Sequence, residues 1–374
     1  MSSSLIQSDR PSAATAALRV GFETTGIYTT KAGIARYVRG LQRGIEELRD
    51  PTVNIFPLAW EVETFAYKQP QRAIKTAYRE LLWGKIIAPR LLTARHADLL
   101  HSTSTLFLRC PKNVKHVITL HDLSITRHPE RFRKWQVNSW NRRLPGIRKA
   151  DRIICISQFT ADEAMNYLGL PASQIDVVHN GCDWHPDAIR FQERKADFEV
   201  PGEFFLFVGS LEPGKNLKLL KETYAMALAN GRPLPPLMIV GARWEGVGNE
   251  GEKPRDWHYL GYQPDEILLY LLRRALGLVF PSIYEGFGLP IVEAMAQSCP
   301  VICANTSSLP EIAGDAAMIV DLEPAKWLDA MRQLASNPTQ REQLIARGRQ
   351  RAGHFTWKRC AEQVVAVYHN VMGR

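Results

Sequence analysis

The sequence is poor in every feature that would tie it to a disulfide frame, a metal centre or a bilayer core. Its 374 residues include six cysteines, at 110, 155, 182, 299, 303 and 360. None forms a CxxC pair and none joins histidines at zinc spacing, which argues against a disulfide scaffold or a structural metal. No Asp-x-Asp occurs, so no paired-carboxylate anchor for a divalent ion is indicated, and no metal or other cofactor is expected. The longest apolar stretch, ILLYLLRRALGLVF, is broken by Arg273 and Arg274 and falls short of a membrane span. The opening MSSSLIQSDRPSAATA lacks the apolar core of a signal peptide, so residues 1–17 read as a disordered leader and a reducing cytoplasm as the default compartment. There is no internal repeat and no low-complexity tract.

What is present is an ordinary globular composition, 45% apolar and 23% charged, at a length that suggests two or three domains. Charge is uneven. Residues 1–190 hold 27 Lys/Arg against 17 Asp/Glu, and the remainder holds 20 against 21. A basic first half and a neutral second half imply domains facing different partners. Strand-like runs alternate with amphipathic helical stretches throughout. In the first half these strands are 18–22, 53–58, 114–120, 152–157 and 175–179, with helices at 34–48 and from about 68 to 93. Residues 182–201 lack periodicity and form the best linker candidate. The pattern then restarts with strands at 203–209, 236–241, 257–261, 276–282 and 299–304, helices at 216–229 and 265–275, and three closing helical segments. Such alternation predicts an α/β protein of two Rossmann-like domains, whose parallel sheets face each other across a cleft with ligands at the strands' carboxyl ends.

Several motifs invite a chemical reading. GVGNEG (246–251) has the letters of a dinucleotide fingerprint but not its place between a strand and the helix it opens, so it reads as a glycine-rich loop. GSLEPGKN (209–216) is one residue short of a P-loop: Gly209, Gly214 and Lys215 fit, but Asn216 stands where a hydroxyl would hold Mg²⁺. It keeps the physics of a phosphate site, a tight turn into a helix N-terminus with a lysine, and equally fits a surface turn. His121, at the end of a buried strand in ITLHDL, is either a structural histidine or a cleft residue, with Asp122 orienting its ring or capping the next turn. The segment 68–95 carries Lys75, Arg79, Lys85 and Arg90 around Trp83, with Glu80 its single acid. It could dock an anionic membrane or bind an acceptor, at about 1 kcal/mol per basic residue near the surface, or simply pack on its own domain.

The most informative stretch is PSIYEGFGLPIVEAMA (281–296), with Glu285 and Glu293 eight positions apart across a Gly-x-Gly turn. A hydrolytic pair is conceivable, since an inverting separation of about 6.5–9.5 Å is not excluded. The order of acid, glycine turn, helix start and second acid better suits a ligand with hydroxyls on both sides of a phosphate, such as a nucleotide sugar.

This motif resembles the signature of retaining GT-B glycosyltransferases of family 4. The likeness runs along nearly the whole chain: GIARY (33–37), ITLHDL (118–123), SQFTADEAMNYLG (157–169), VVHNGCD (177–183), VGSLEPGKNL (208–217) and SSLPEIAGDAA (307–317). The resemblance implies that Glu293 binds ribose hydroxyls and that Glu285 contacts the donor sugar near its anomeric centre. By the same resemblance Gly286, Phe287, Gly288 and Leu289 line the donor site and Lys215 neutralises the leaving diphosphate. Gly33 then approaches from the other domain, His121 contacts the transferred sugar, and Ser210 lies in the donor loop. Family members often carry arginine where this chain has Ser210 and Gly214, leaving Lys215 as the loop's only cation, with Arg36 and Arg243 as possible further phosphate contacts.

The reading is therefore a metal-independent retaining hexosyltransferase, with mannose from GDP-mannose the preferred donor and UDP-glucose the runner-up. Its acceptor would be a glycan or polyprenyl-linked glycan at the inner face of the cytoplasmic membrane, in polysaccharide biosynthesis. It implies an acceptor domain over 18–190, a donor domain over 191–355 and a helix over 356–374 returning to the first. A P-loop nucleotidase and a non-catalytic anionic-surface binder remain as readings of other classes. No nucleic-acid partner is expected.

Overall fold

The structure, a computed structural model, describes residues 17–29, 33–62, 74–75, 78–105, 108–182, 184, 195–242 and 254–373. The first domain holds strands β1 (Leu18–Glu23), β2 (Val53–Leu58), β3 (Leu99–Ser102), β4 (Lys115–Leu120), β5 (Arg152–Cys155) and β6 (Ile175–Val177). They form one parallel sheet in the order β2-β1-β3-β4-β5-β6. The second domain holds β7 (Phe205–Val208), β8 (Leu237–Val240), β9 (Trp257–Gly261), β10 (Gly277–Phe280), β11 (Val301–Ala304) and β12 (Met318–Val320). Its sheet is also parallel, in the order β12-β11-β10-β7-β8-β9. Strands β8, β10 and β11 are buried along their whole length, as continuous apolar runs covered by helices on both faces must be.

In the second sheet the strand order reverses between β7 and β10. The loops after these two strands are the Gly209–Asn216 turn and the Pro281–Gly288 turn, so both glycine-containing motifs open at the topological switch point, where a crevice is unavoidable.

Two strands escape the sequence pattern. In β3 the residues LLHS are all buried, but His101 and Ser102 are polar, which cuts the apolar run to two. In β12 only three residues pair. Of the expected helix from 68 to 93, the described part is a wide helical segment over Tyr78–Ile87 followed by an α-helix over Ala88–Ala94.

The last helix, Trp357–Met372, crosses onto the first domain and packs on the Gly33–Leu48 helix. Its buried residues are Trp357, Cys360, Ala361, Val364, Val365, Val367 and Tyr368, and all but Val367 recur at three- and four-residue intervals as one stripe of an amphipathic helix. The Thr356 hydroxyl caps its first turn and left-handed Gly373 ends it. Trp357 lies in a socket bounded by Gly40, Gly44 and Gly181, at each of which a Cβ would overlap it. Deeper in, a buried chain of hydrogen bonds ties the crossing helix to the first sheet. Tyr368 meets His101 Nδ1 at 2.7 Å, His101 Nε2 meets the Thr119 hydroxyl at 2.8 Å, and Thr119 meets Tyr37 at 2.8 Å. Burial holds the His101 ring far below its ordinary range, at about 3, so it is neutral here.

Within the linker candidate 182–201, Trp184 is fully buried under the Arg36 guanidinium, which lies 5.0 Å from the ring centroid. Its carbonyl accepts from Gln297 Nε2. This position anchors the chain between the domains.

Candidate active site

The loop after β7 is built by its own glutamate. Glu212 accepts the Gly214 amide at 2.9 Å and so caps a single tight turn over Pro213–Lys215. Asn216 then adopts a left-handed conformation, φ 55°, and the Leu217–Ala229 helix begins. The turn places Lys215 with its ammonium on the Glu285 carboxylate, 5.6 Å from the Phe280 ring centroid. Both side chains are largely enclosed, 18% and 14% exposed, so the pair is screened less than a surface ion pair. Ser210 contributes its carbonyl to the turn, accepting from the Glu212 amide at 3.0 Å.

The loop after β10 docks on the first domain. Tyr284 accepts from the Leu123 amide at 3.2 Å and donates to Glu163 at 3.3 Å. The Gly286 carbonyl accepts from the Ser157 hydroxyl at 2.7 Å, and a Cβ on Gly286 would overlap the His121 carbonyl oxygen. Glycine at 286 is therefore required by close approach of two backbones. Glycine at 288 is required by its φ of +91°, the step that starts the Leu289–Ala296 helix. The Phe287 ring is buried, 6.1 Å from His179 and 5.6 Å from Phe355 between centroids, so its side chain serves packing. Gly33 faces Leu289 across the cleft: a Cβ there would lie 3.8 Å from the leucine.

Glu293 sits one turn into that helix, 5% exposed. Its partner is Arg36, on the first turn of the opposing helix, whose guanidinium binds Glu293 through one nitrogen and Asp265 through another. Burial raises the Glu293 pKa despite the neighbouring cation, and Asp265 raises it further. Burial works against the charged Arg36, but Glu293 and Asp265 outweigh it and hold the guanidinium above its ordinary value. Arg36, a possible phosphate contact on the sequence, is paired in this structure with two carboxylates that lie directly across the cleft.

His121 donates Nε2–H to the Thr103 carbonyl at 2.8 Å, and the Tyr37 ring stands edge-on 4.8 Å away. A carbonyl only accepts, so the proton is on Nε2 and Nδ1 keeps its lone pair. Burial lowers the pKa and keeps the ring neutral. Asp122 caps the following turn, accepting from the Ser124 amide at 2.8 Å and from its hydroxyl at 2.5 Å, and makes no hydrogen bond to the ring.

Three groups were not singled out from the sequence, although Glu311 lies within the quoted SSLPEIAGDAA. Glu23, at the end of β1, is fully buried and accepts from the Thr25 amide at 2.7 Å and the Thr103 hydroxyl at 3.0 Å. Burial raises its pKa against those hydrogen bonds. Glu311 reaches from the second domain to accept the Gln158 and Phe159 amides at 2.8 and 3.0 Å, and it meets His179 at 2.7 Å. It thus satisfies orphan donors at a helix start in the first domain. Arg131 binds Glu212 across the cleft at 3.0 and 2.7 Å. Each has at least one partner distant in sequence, which no local pattern announces.

The basic segment needs correction at two positions. Arg79 is only 13% exposed, and Trp83 packs on the cluster containing Leu58, Leu92 and Leu100, because the segment turns that side to its own domain. Lys75 is half-buried, while Lys85 and Arg90 are exposed. The exposed apolar side chains here are Ile74, Tyr78, Leu81, Leu82 and Ile86. Arg243 and GVGNEG lie outside the described residues. Among the described residues no helix is long and apolar enough to cross a membrane.

Comparison with known proteins agrees with this architecture. Residues 32–184 match Glycosyltransferase Family 4, and residues 189–351 match Glycosyl transferases group 1. O-antigen chain mannosyltransferase B of Escherichia coli is 33% identical over 267 residues, 67% of this chain and 69% of that protein. The serotype-specific mannosyltransferase WbdA of Escherichia coli is 29% identical over 237 residues, 58% of this chain but 27% of its own length. Among solved structures, sucrose-phosphate synthase from Thermosynechococcus elongatus superposes with a TM-score of 0.70 at 18% identity, covering 95% of this chain and 99% of that one. HepE from Anabaena, solved in complex with UDP and glucose, gives 0.61 at 17% identity, covering 94% of this chain and 100% of that one. With both halves of the chain matched in order, and two parallel Rossmann-like sheets opposed across a cleft, the protein belongs to the family 4 glycosyltransferases of GT-B fold.

Proposed function

We propose that this enzyme transfers mannose from GDP-mannose to a glycan or lipid-linked glycan acceptor during polysaccharide assembly, with retention of configuration and without a metal ion. The observation that carries the reading is the set of masked charges at the switch point: Lys215 on Glu285, and Arg36 on Glu293 and Asp265. A nucleoside diphosphate sugar offers a partner to three of these groups. Its diphosphate takes Lys215, its ribose hydroxyls take Glu293, and Glu285 is released toward the sugar. Charge developing on the departing diphosphate then meets a cation already fixed in a partly enclosed site, the arrangement that lowers barriers most. Retention would follow if the acceptor attacks on the face the diphosphate leaves. Neutral His121 would offer its Nδ1 lone pair to a sugar hydroxyl. The choice of mannose rests on what the related proteins from Escherichia coli are named for.

We place the acceptor on the basic first domain. Exposed Leu81, Leu82 and Ile86 beside Lys85 and Arg90 suit peripheral contact with an anionic leaflet on the cytoplasmic face.

The test is thermal stabilisation by GDP, UDP and ADP, each with and without its sugar, in EDTA. A ligand at a hundred times its Kd stabilises by about 2.7 kcal/mol, a readily measured shift. GDP and GDP-mannose should stabilise most and EDTA should leave turnover intact. A response to UDP alone would move the donor to UDP-glucose, and no response to any nucleotide would overturn the reading.

A further inference from the structure

Arg131 is a largely enclosed cation, its side chain 15% exposed, with unspent donors. It lies just past the short Ser124–Arg127 helix of the first domain, yet its guanidinium reaches the turn after β7 in the second. Only Nη2 is engaged, by both oxygens of Glu212, at 3.0 and 2.7 Å. Nε and Nη1 are buried with no hydrogen-bond partner among the described residues. Leaving two charged donors empty is costly, and such groups call for a partner that the described residues do not supply. The position is specific. A Cβ on Gly214 would lie 1.5 Å from Nη2 and 2.6 Å from Nη1, so the guanidinium occupies the side-chain space of the residue directly before Lys215. Any side chain at 214 would expel it.

We propose that Arg131 is a diphosphate-binding residue: the first domain delivers across the cleft the second cation of the donor site, through the gap left by Gly214. The inference rests on the nucleotide-sugar reading above. It also gives closure a chemical purpose. Lys215 belongs to the donor domain, Arg131 arrives only when the domains meet, and a guanidinium with free N–H groups matches phosphate oxygens better than a point charge. Glu212 serves as its holder, since the same carboxylate caps the turn and aims the guanidinium.

The experiment compares Arg131→Met, Arg131→Lys and Gly214→Ala with the wild-type chain by calorimetric titration of GDP and of guanosine, or of the nucleotide pair that the wild type prefers. A hydrogen bond to a charged group is worth about 1.5–3 kcal/mol, so Arg131→Met should weaken nucleoside diphosphate binding about tenfold to a hundredfold. Binding of the nucleoside, which has no phosphate, should stay within twofold. Arg131→Lys should fall between. Gly214→Ala should reproduce the loss by displacing the arginine without removing it, and combining it with Arg131→Met should add little. Equal weakening of both ligands would reduce Arg131 to a clamp between domains and overturn the proposal, as would diphosphate binding within threefold of wild type. A wild type that binds no nucleoside diphosphate would instead overturn the functional reading, and this proposal with it. Melting temperatures of the variants identify any that fail to fold, and the lysine variant keeps the comparison decisive in that event.

Discussion

Gly40→Ala isolates the contact that ties the two domains together. The substitution adds one methyl group to a helix interior, where alanine is favoured over glycine by about 1 kcal/mol. Local propensity alone therefore predicts stabilisation. The structure predicts the opposite. The new Cβ would lie 2.0 Å from Trp357 Cε2 and 2.3 Å from Cδ2, whereas carbon atoms rest about 3.5–4.0 Å apart. The indole would have to retreat by more than an ångström. The start of the crossing helix is closely seated as well, since a Cβ on Gly181 would lie 2.3 Å from the Trp357 backbone nitrogen and one on Gly44 2.5 Å from its carbonyl oxygen. Overpacking of this kind costs about 1–3 kcal/mol, and displacing Trp357 also lifts the start of the crossing helix. Set against the propensity gain, this leaves a net loss of up to about 2 kcal/mol, read as a lower denaturant midpoint, with a raised KM for donor because the crossing helix spans both domains. A surface glycine such as Gly202, where a Cβ meets nothing within 4 Å, is the control and should be neutral. A Gly40→Ala protein stabilised by the full propensity gain of about 1 kcal/mol would show that Trp357 does not occupy this socket.

Two further outcomes follow from the site and the core. Lys215→Ala should lower kcat about 10²–10³-fold, the cost of removing one group that meets developing negative charge. Turnover within threefold of wild type would assign that task to another cation. Acid should destabilise the fold. Burial keeps His101 neutral down to about 3 and His116 down to about 4, against an ordinary value of 6.5. The unfolded chain therefore binds the extra protons, and stability is lost as pH falls from the ordinary imidazole range toward those values. Each histidine accounts for about 2 kcal/mol between pH 8 and pH 5. A denaturant midpoint that does not move over this interval would contradict the buried network through Tyr368, His101 and Thr119.

The sequence by itself determined the fold class, because strand–helix alternation and continuous apolar strands are local signals that leave a parallel sheet few other forms. It also marked the two loops at the switch point, since a glycine turn entering a helix is written in adjacent residues, as Gly286, Gly288 and Leu289 are. Only tertiary structure decided what those loops face. Arg36 and Glu293 are 257 positions apart, Lys215 and Glu285 are 70, and Arg131 and Glu212 are 81. No periodicity encodes a pairing that depends on how two domains close. The same limit explains β3, where buried His101 and Ser102 find partners in Tyr368, Thr119 and His116, so that polar residues occupy a central strand. It explains Trp83 and Arg79 too, whose place in a basic amphipathic segment left open which face would turn inward. Periodicity tells a helix that it has two faces, and packing chooses between them.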